Sequence, residues 1–307
     1  PNTAGAAARY LRGQLEALHE AGADNAVEQA WPYLAHEDRT IRYAARIAVE
    51  HQPVEQWQDR ALAESNAVAR TQAMIALARC APRNPQLMKR AVQELLRTPW
   101  DSISDAQRVD LMRAISLCFI RLGNEDGALD RETRETVTSY LTDHYPANIF
   151  PLNRDLSSLL VYLQAPGTSA RTLKLLEGSP TQEEQIHFAY ALRPLREGWT
   201  DAERKRYFQW FVDTKAGRRG GASFGGFLDN IRDEAVENLT AAQKLSLKEV
   251  LEAKPSPMEL SAVSRTTHVK DWKIADLLRS ASSQTPGRDF NQGKRYFTEA
   301  GCYKCHR

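Results

Sequence analysis

Two cysteines and a histidine near the carboxyl end have a spacing that fits a covalent cofactor chemistry. The chain reads Gly-Cys-Tyr-Lys-Cys-His-Arg there, with thiols at Cys302 and Cys305 and an imidazole at His306. Cys-x-x-Cys-His is the attachment signature of c-type haem. On a short helical turn both sulfurs can bond to the two vinyl groups of one porphyrin edge, and the adjoining histidine can bind the iron. The sequence therefore predicts haem c attached through Cys302 and Cys305, with His306 as the proximal metal ligand.

From the residues alone, the cysteine pair has two other possible functions. A thioredoxin-like redox pair follows a strand in a βαβ setting, whereas residues 289–298 predict one amphipathic helix before the motif. A structural zinc site takes a second pair of ligands, and no cysteine lies between Cys118 and Cys302. Haem is the interpretation that the context favours over both.

The composition is that of an ordinary globular protein. Of the 307 residues, 42% are hydrophobic and 26% are charged, and the net charge is +2. Because dedicated nucleic-acid binders are strongly basic, we expect no nucleic-acid partner. No apolar run approaches the ~18 residues of a membrane span, so none is predicted. Apolar residues recur every three or four positions, and β-branched runs are missing, which predicts an all-α protein.

A short spacing recurs along the first 250 residues. Arg42-x-x-Ala45-x-x-Ala48-Val49 is followed by similar octets that begin at Arg70, Arg108, Arg154 and Gln185. The octets begin 28, 38, 46 and 31 residues apart, which is the range of two-helix solenoid repeats. Small residues in the pattern let neighbouring helices approach closely, and stacking gives each repeat the core that it cannot form alone. A helical bundle with a chance recurrence of the spacing is the alternative.

Local signals predict where several helices begin and end. Thr200 and Thr240 each start a capping box. The segment Ser179-Pro180 predicts a helix with proline at its first position. Gly217 is placed to end the helix that starts after Thr200.

Prolines and small residues divide the chain into three parts. Two prolines interrupt the helical pattern after residue 252, and Ser, Thr, Pro and Gly dominate residues 282–287. We therefore predict a helical-repeat domain at 1–252, a linker with a short helix at 253–287, and the start of a haem domain at 288–307.

We predict structural roles for the other residues whose side chains or backbone could bind a ligand or react. Cys80 and Cys118 lie 38 residues apart, as the second and third octets do, and are expected to be buried free thiols in neighbouring repeats. His187 falls between apolar neighbours, as a core histidine does. The glycine-rich residues 217–226 lack the ending of a phosphate-binding loop and predict a connection between helices, or a contact loop. No catalytic site is found in the chain.

Two stretches of the sequence resemble known protein families. Asp38-Arg39-Thr40-Ile41-Arg42 with the alanines that follow is similar to the second helix of HEAT repeats. The run Gly293-Lys294-Arg295-Tyr296-Phe297 before Gly301-Cys302 resembles the opening helix and haem-binding turn of class I cytochromes c. This second resemblance implies that the domain's last helix crosses close to Gly293, with an aromatic residue packed beside the crossing.

The resemblance to cytochromes c also implies further helices, and usually a distal methionine or histidine, beyond the haem-binding turn. The sequence continues for one residue after His306, and its four methionines all precede the motif. No distal ligand is therefore assigned. We expect a truncated haem domain that cannot form an intact pocket from these residues alone, so that the cofactor is absent from the 307-residue chain by itself.

The order of the parts resembles the haem-binding proteins abundant in planctomycetes and verrucomicrobia. The phrases at 180–187, 219–224 and 230–233, followed by the linker and the Cys-x-x-Cys-His motif, carry this resemblance. Members of that family often place a sugar-dehydrogenase-like β-propeller before the helical repeats. The resemblance implies an electron-transfer module in the periplasm, or otherwise exported, that serves a redox partner or a fused dehydrogenase. The alternative is a helical-repeat scaffold that binds proteins and has no redox role in this part of the chain.

Overall fold

The computed structural model describes residues 3–127, 129–217, 223–254, 271–276, 278 and 289–300. All regular secondary structure in these ranges is helical, which confirms the all-α prediction. The chain divides into two compact units, Pro1–Thr200 and Asp201–Arg307. The domain boundaries after residues 252 and 287 remain predictions.

The first unit is built from short helices joined by tight connections. Four turns of 3₁₀ or π type, Trp31–Ala35, Val54–Gln56, Trp100–Ser102 and Cys118–Leu122, lie between them. The α-helices are α1 Thr3–Glu16, α2 Ala26–Ala30, α3 Arg39–Glu50, α4 Gln58–Ala63, α5 Ala67–Cys80, α6 Pro85–Leu96, α7 Asp105–Leu117, α8 Arg131–Asp143, α9 Phe150–Tyr162, α10 Thr168–Gly178 and α11 Gln182–Leu192.

Small polar side chains determine where many of these helices begin. The Asp38 carboxylate accepts from the amides of Thr40 and Ile41 at 2.7 and 3.3 Å. Ser104 and Gln107 form a reciprocal capping box at α7, which the sequence analysis did not identify. Each cap satisfies amides that have no partner inside the helix and stabilises its first turn by about 1 kcal/mol.

One predicted helix start is wrong. Pro180 does not occupy the first position of α11, because the helix begins at Gln182. Thr181 has an extended backbone, and its hydroxyl accepts the Glu184 amide at 3.3 Å, so it is the N-cap. A threonine three residues before a glutamate is the stronger start signal of the two.

The five helices that carry the octets pack against one another in chain order. α3 contacts α5, α5 contacts α7, α7 contacts α9, and α9 contacts α11. The small residues of the spacing lie in these contacts, since Ala45, Ala73 and Ala114 are fully buried. One continuous buried cluster extends from Leu15 in α1 to Ala165 after α9.

The polar residue at the first octet position has a shared structural role. Its side chain donates to a backbone carbonyl in the connection that precedes its own helix, and we call these contacts the first-position bonds. They join Arg42 to His36 O at 2.7 Å, Arg70 to Glu64 O at 3.3 Å, Arg108 to Trp100 O at 3.0 Å and Gln185 to Ser179 O at 2.6 Å.

The fourth octet differs from the others at its first position. Arg154 is exposed and pairs with Asp155 at 2.8 Å. The buried Asn153 makes the first-position bond instead, donating to Ala147 O at 2.9 Å and accepting from the Ala147 amide at 2.7 Å. Ser157 and Leu160 of the predicted octet are fully buried. Only the role of its first residue is therefore taken over by the residue before it.

The second unit forms around the longest helix. α12 Asp201–Gly217 contacts α13 Phe224–Glu237 and α15 Lys248–Glu252. Between the last two lies α14 Ala241–Ser246, where Thr240 and Gln243 form the predicted capping box. The predicted helix stop at Gly217 adjoins residues outside the described ranges and stays a prediction. The aromatic residues buried on α12 are Tyr207, Phe208, Trp210 and Phe211.

We predict that Asn153→Ala destabilises the protein much more than Arg154→Ala. The first substitution removes two hydrogen bonds between a buried side chain and the connection before α9, and should lower the free energy of unfolding by about 2 kcal/mol. The second removes an exposed ion pair and should cost less than about 0.5 kcal/mol. Urea unfolding of both variants measures the difference. Equal losses would show that Asn153 has no special role in the connection.

Candidate functional site

A capped helix precedes the cysteine motif. This helix, α16, spans Phe290–Glu299, as the sequence predicts, and the Asp289 carboxylate accepts the Gln292 amide at 3.0 Å. An ion pair of 2.6 Å between Arg295 and Glu299 supports its last turn. The proposed haem ligands Cys302, Cys305 and His306 lie outside the described residues.

One face of α16 carries aromatic residues. Phe290 is 82% exposed, and Phe297 follows it two turns later on the same face. Between them, no atom of the described residues lies within 4 Å of a Cβ atom added to Gly293. The exposed ring of Phe290 and the backbone at Gly293 suit contact with a large apolar group or a crossing helix.

The two cysteines of the first unit are both free but differ in their surroundings. Cys118 is fully buried, which raises the pKa of its thiol to about 12. Cys80 is exposed, so the prediction of a buried thiol is wrong there. As the last residue of α5 it lies at the surface, where its sulfur donates to Glu50 O at 3.4 Å. Partial desolvation of the sulfur and the nearby Glu50 carboxylate raise the pKa of the Cys80 thiol, so neither cysteine is an activated nucleophile.

His187 packs in an aromatic cluster. Its ring lies edge-on to Phe150 and Phe188, at centroid distances of 5.8 and 5.5 Å, and Nε2 is 3.3 Å from Arg154 O. Burial lowers the pKa of the imidazole. This packing agrees with the structural role predicted for His187. His268, in contrast, lies outside the described residues, and within the described ranges no group of three or more His, Cys, Asp or Glu could hold a metal ion.

A second histidine is held in a stack of rings where the Trp100–Ser102 turn meets the end of α8. The His144 and Trp100 rings are parallel at 3.9 Å, and Tyr140 lies edge-on to both. The Arg108 guanidinium lies 5.2 Å from the centre of the Trp100 ring. Desolvation in this stack lowers the pKa of His144.

An apolar cavity of about 370 Å³ opens beside the π-helical turn. Phe119, Ile120, Leu159 and Tyr162 form its apolar wall. The Tyr162 hydroxyl donates to Gly127 O at 2.7 Å, and its ring stacks on Phe119 at 5.5 Å. These two contacts hold Tyr162 in place although 41% of it is exposed.

A second cavity of about 530 Å³ adjoins the first and shares Ser158 and Tyr162 with it. Tyr190 and Pro194 add apolar surface there. We call the two cavities together the Tyr162 groove. Its lining comes from α7, α9 and α11, three of the helices that carry the octets, from the connections at their carboxyl ends, and from Arg83 in the connection after α5.

A strained residue shapes this groove. Gln164 follows α9 with a φ of +52°, a conformation that ordinarily favours glycine. Its side chain donates to Pro194 O at 3.2 Å and accepts the Arg196 amide at 2.8 Å. The side-chain amide thereby ties the end of α9 to the connection that lines the second cavity.

The sequence analysis did not identify the Tyr162 groove. Tyr162 and Tyr190 lie on helices whose octets explain only the buried face. The sequence signal that could have indicated the groove is the presence of two aromatic residues, Tyr162 and Tyr190, at helix positions outside the buried octet positions. No pattern in the sequence indicates, however, that the two rings border neighbouring cavities.

Comparisons with protein families, with characterised proteins and with solved structures found no match for this chain. Among the described residues no helix is long and apolar enough to cross a membrane.

We predict that the protein loses stability as the pH falls below about 6.5, in part through His144 and His187. Both pKa values are lowered from 6.5 in the folded protein. The unfolded chain therefore binds these protons more readily, and acidification favours unfolding. In His144→Gln/His187→Gln the free energy of unfolding should decline less steeply between about pH 7 and pH 5.

Urea titrations across this pH range measure that slope. The slope is compared rather than the absolute stability, because loss of the ring contacts also destabilises the variant. Parallel pH profiles for the two proteins would contradict the assignment.

Proposed function

We propose that this protein is an electron-transfer module, in which a HEAT-like helical scaffold carries a covalently attached c-type haem for a fused or partner oxidoreductase. The observation that carries the proposal is the Cys-x-x-Cys-His motif placed directly after α16. The pair of thiols and the adjoining imidazole match the donor set of haem c. The redox-disulfide alternative takes a strand before the motif, and the zinc alternative takes a second pair of ligands. The described residues show neither feature.

The surface of α16 fits a large apolar group. Phe290 is an exposed aromatic residue on the side of the helix that also carries Gly293. Covering this side with an apolar partner would remove it from water, at about 25 cal/mol for each Å² buried. In the proposal Cys302 and Cys305 attach the porphyrin, His306 binds the iron, and the α16 face packs nearby.

When bound, the haem supplies single-electron transfer, while the polypeptide provides placement and the electrostatic environment. The packed helices α3, α5, α7, α9 and α11 support the proposal of a repeat scaffold, because each contacts the next and their first-position bonds recur. Since c-type haem is attached outside the cytoplasm, the proposal includes export to the periplasm. No dehydrogenase activity is assigned to these residues.

Substitution of both motif cysteines tests the haem proposal. We expect Cys302→Ser/Cys305→Ser to abolish covalent haem, because serine cannot form the thioether bonds. The natural gene product that contains this chain is exported together with a haem-maturation system, and the reduced pyridine haemochrome spectrum is recorded after denaturation and acid–acetone extraction.

Cys80→Ser is the matched control, since Cys80 is an exposed free thiol outside the motif. This variant should retain the haemochrome absorption of the parent protein. Covalent haem that survives loss of Cys302 and Cys305, or a parent protein without covalent haem, would refute the proposal.

A protein-binding scaffold is the second candidate function, and the Tyr162 groove favours it. Ile120 and Tyr190 are 65% and 49% exposed beside two adjoining cavities. Grooves that combine aromatic surface with a few polar groups are common peptide-binding sites. The two functions are compatible in one protein, because the groove and the cysteine motif lie in different parts of the chain.

A further inference from the structure

The Tyr162 groove offers two apolar recesses on one side of the first unit. The first lies between the π-helical turn and α9, and the second between α9 and α11, with Tyr162 between them. Packed helices have axes ~8–10 Å apart, so the two recesses are separated by about one helix spacing. A chain in the extended polyproline II conformation rises ~3.1 Å per residue and has three residues per turn. Two side chains three residues apart therefore lie on the same face, about 9 Å apart, and would reach both recesses.

The walls of the groove are held in position without a ligand. Tyr162 is fixed by its bond to Gly127 O, and the Arg193 guanidinium lies 3.5 Å above the Tyr190 ring centre. Gln164 has a left-handed backbone conformation, and its side chain accepts the amide of Arg196 in the connection that lines the second recess. A preformed groove loses little conformational entropy on binding, and retained backbone strain is typical of functional surfaces.

Three arginines and two glutamates line the groove, an excess of one positive charge. Arg83 lines the first recess, and Arg193 and Arg196 line the second, against one glutamate in each, Glu125 and Glu197. Arg113 adds a further guanidinium, one helical turn before the lining residue Ser116. It is exposed and has no hydrogen-bond or ion-pair partner within the described part of the chain. The positive excess favours a negatively charged occupant.

We propose that the Tyr162 groove binds an extended acidic peptide of a partner protein, with two apolar side chains three residues apart. The apolar side chains would enter the two recesses, and the carboxylates would lie near Arg113 and the lining arginines. This inference deepens the scaffold function and rests on it, but it does not depend on the haem. A failure of the haemochrome test leaves it intact, and the reverse also holds.

Fluorescence anisotropy with a labelled peptide tests the inference on the full chain. The probe Asp-Leu-Glu-Asp-Leu-Asp should bind with a dissociation constant below about 100 µM. Replacement of both leucines by serine, or of all four acidic residues by lysine, should weaken binding at least about tenfold. In the protein, Ile120→Ser/Tyr190→Ser should weaken binding of the probe by about tenfold or more, because both side chains are apolar contacts.

Tyr43→Ser is the matched control. Tyr43 is a 55% exposed tyrosine on α3 with an arginine, Arg46, 5.2 Å from its ring centre, and it lies outside the groove lining. This variant should bind the probe as the parent does, and circular dichroism should show all variants folded. Arg113→Glu should also weaken binding.

Three results would overturn the inference. The first is that the acidic probe does not bind at about 1 mM. The second is that the protein binds the lysine peptide as tightly as the acidic probe. The third is that Tyr43→Ser weakens binding of the probe as much as Ile120→Ser/Tyr190→Ser does. Capture of a partner by the protein without binding of the acidic probe would leave the scaffold function standing but refute this occupant.

Discussion

The architecture of the first unit depends on hydrogen bonds from one side chain per octet to the backbone just before its own helix. Arg42, Arg70, Arg108, Asn153 and Gln185 occupy this position. Each bond of this kind contributes about 0.5–1.5 kcal/mol, so these bonds stabilise the connections and fix how each helix leaves them. The small and aliphatic residues that follow can then pack on the next helix. The groove depends on the same arrangement, because its recesses lie between helices positioned in this way.

Arginines elsewhere in the first unit have similar structural uses in addition to the charge that they carry. Arg83 donates to Gly123 O at 2.6 Å, Arg134 to Leu163 O at 3.2 Å, and Arg171 to Tyr145 O at 3.0 Å. Each satisfies a carbonyl near the end of a helix or turn, where no intrahelical donor exists. Arg113 is informative because it has no such partner among the described residues.

The sequence predicted what depends on local chemistry. Periodicity identified the helices, Thr240 marked a helix start, and the octets identified helices that pack together. It failed where neighbouring signals compete or where tertiary structure decides. Pro180 competed with Thr181, and Arg154 obscured the buried Asn153 beside it. Cys80 was assigned to the core because its offset from Cys118 matched the repeat, yet α5 ends at that residue. The Tyr162 groove combines residues from three helices, and no local pattern encodes their proximity.

The haem proposal is tested most directly by mass spectrometry of the exported natural gene product that contains this chain. Intact mass and peptide mapping would locate any covalent addition. The proposal predicts one haem on the peptide that contains Cys302, Cys305 and His306, and no modification at Cys80. An unmodified motif peptide from protein matured in a haem-attaching host would contradict it.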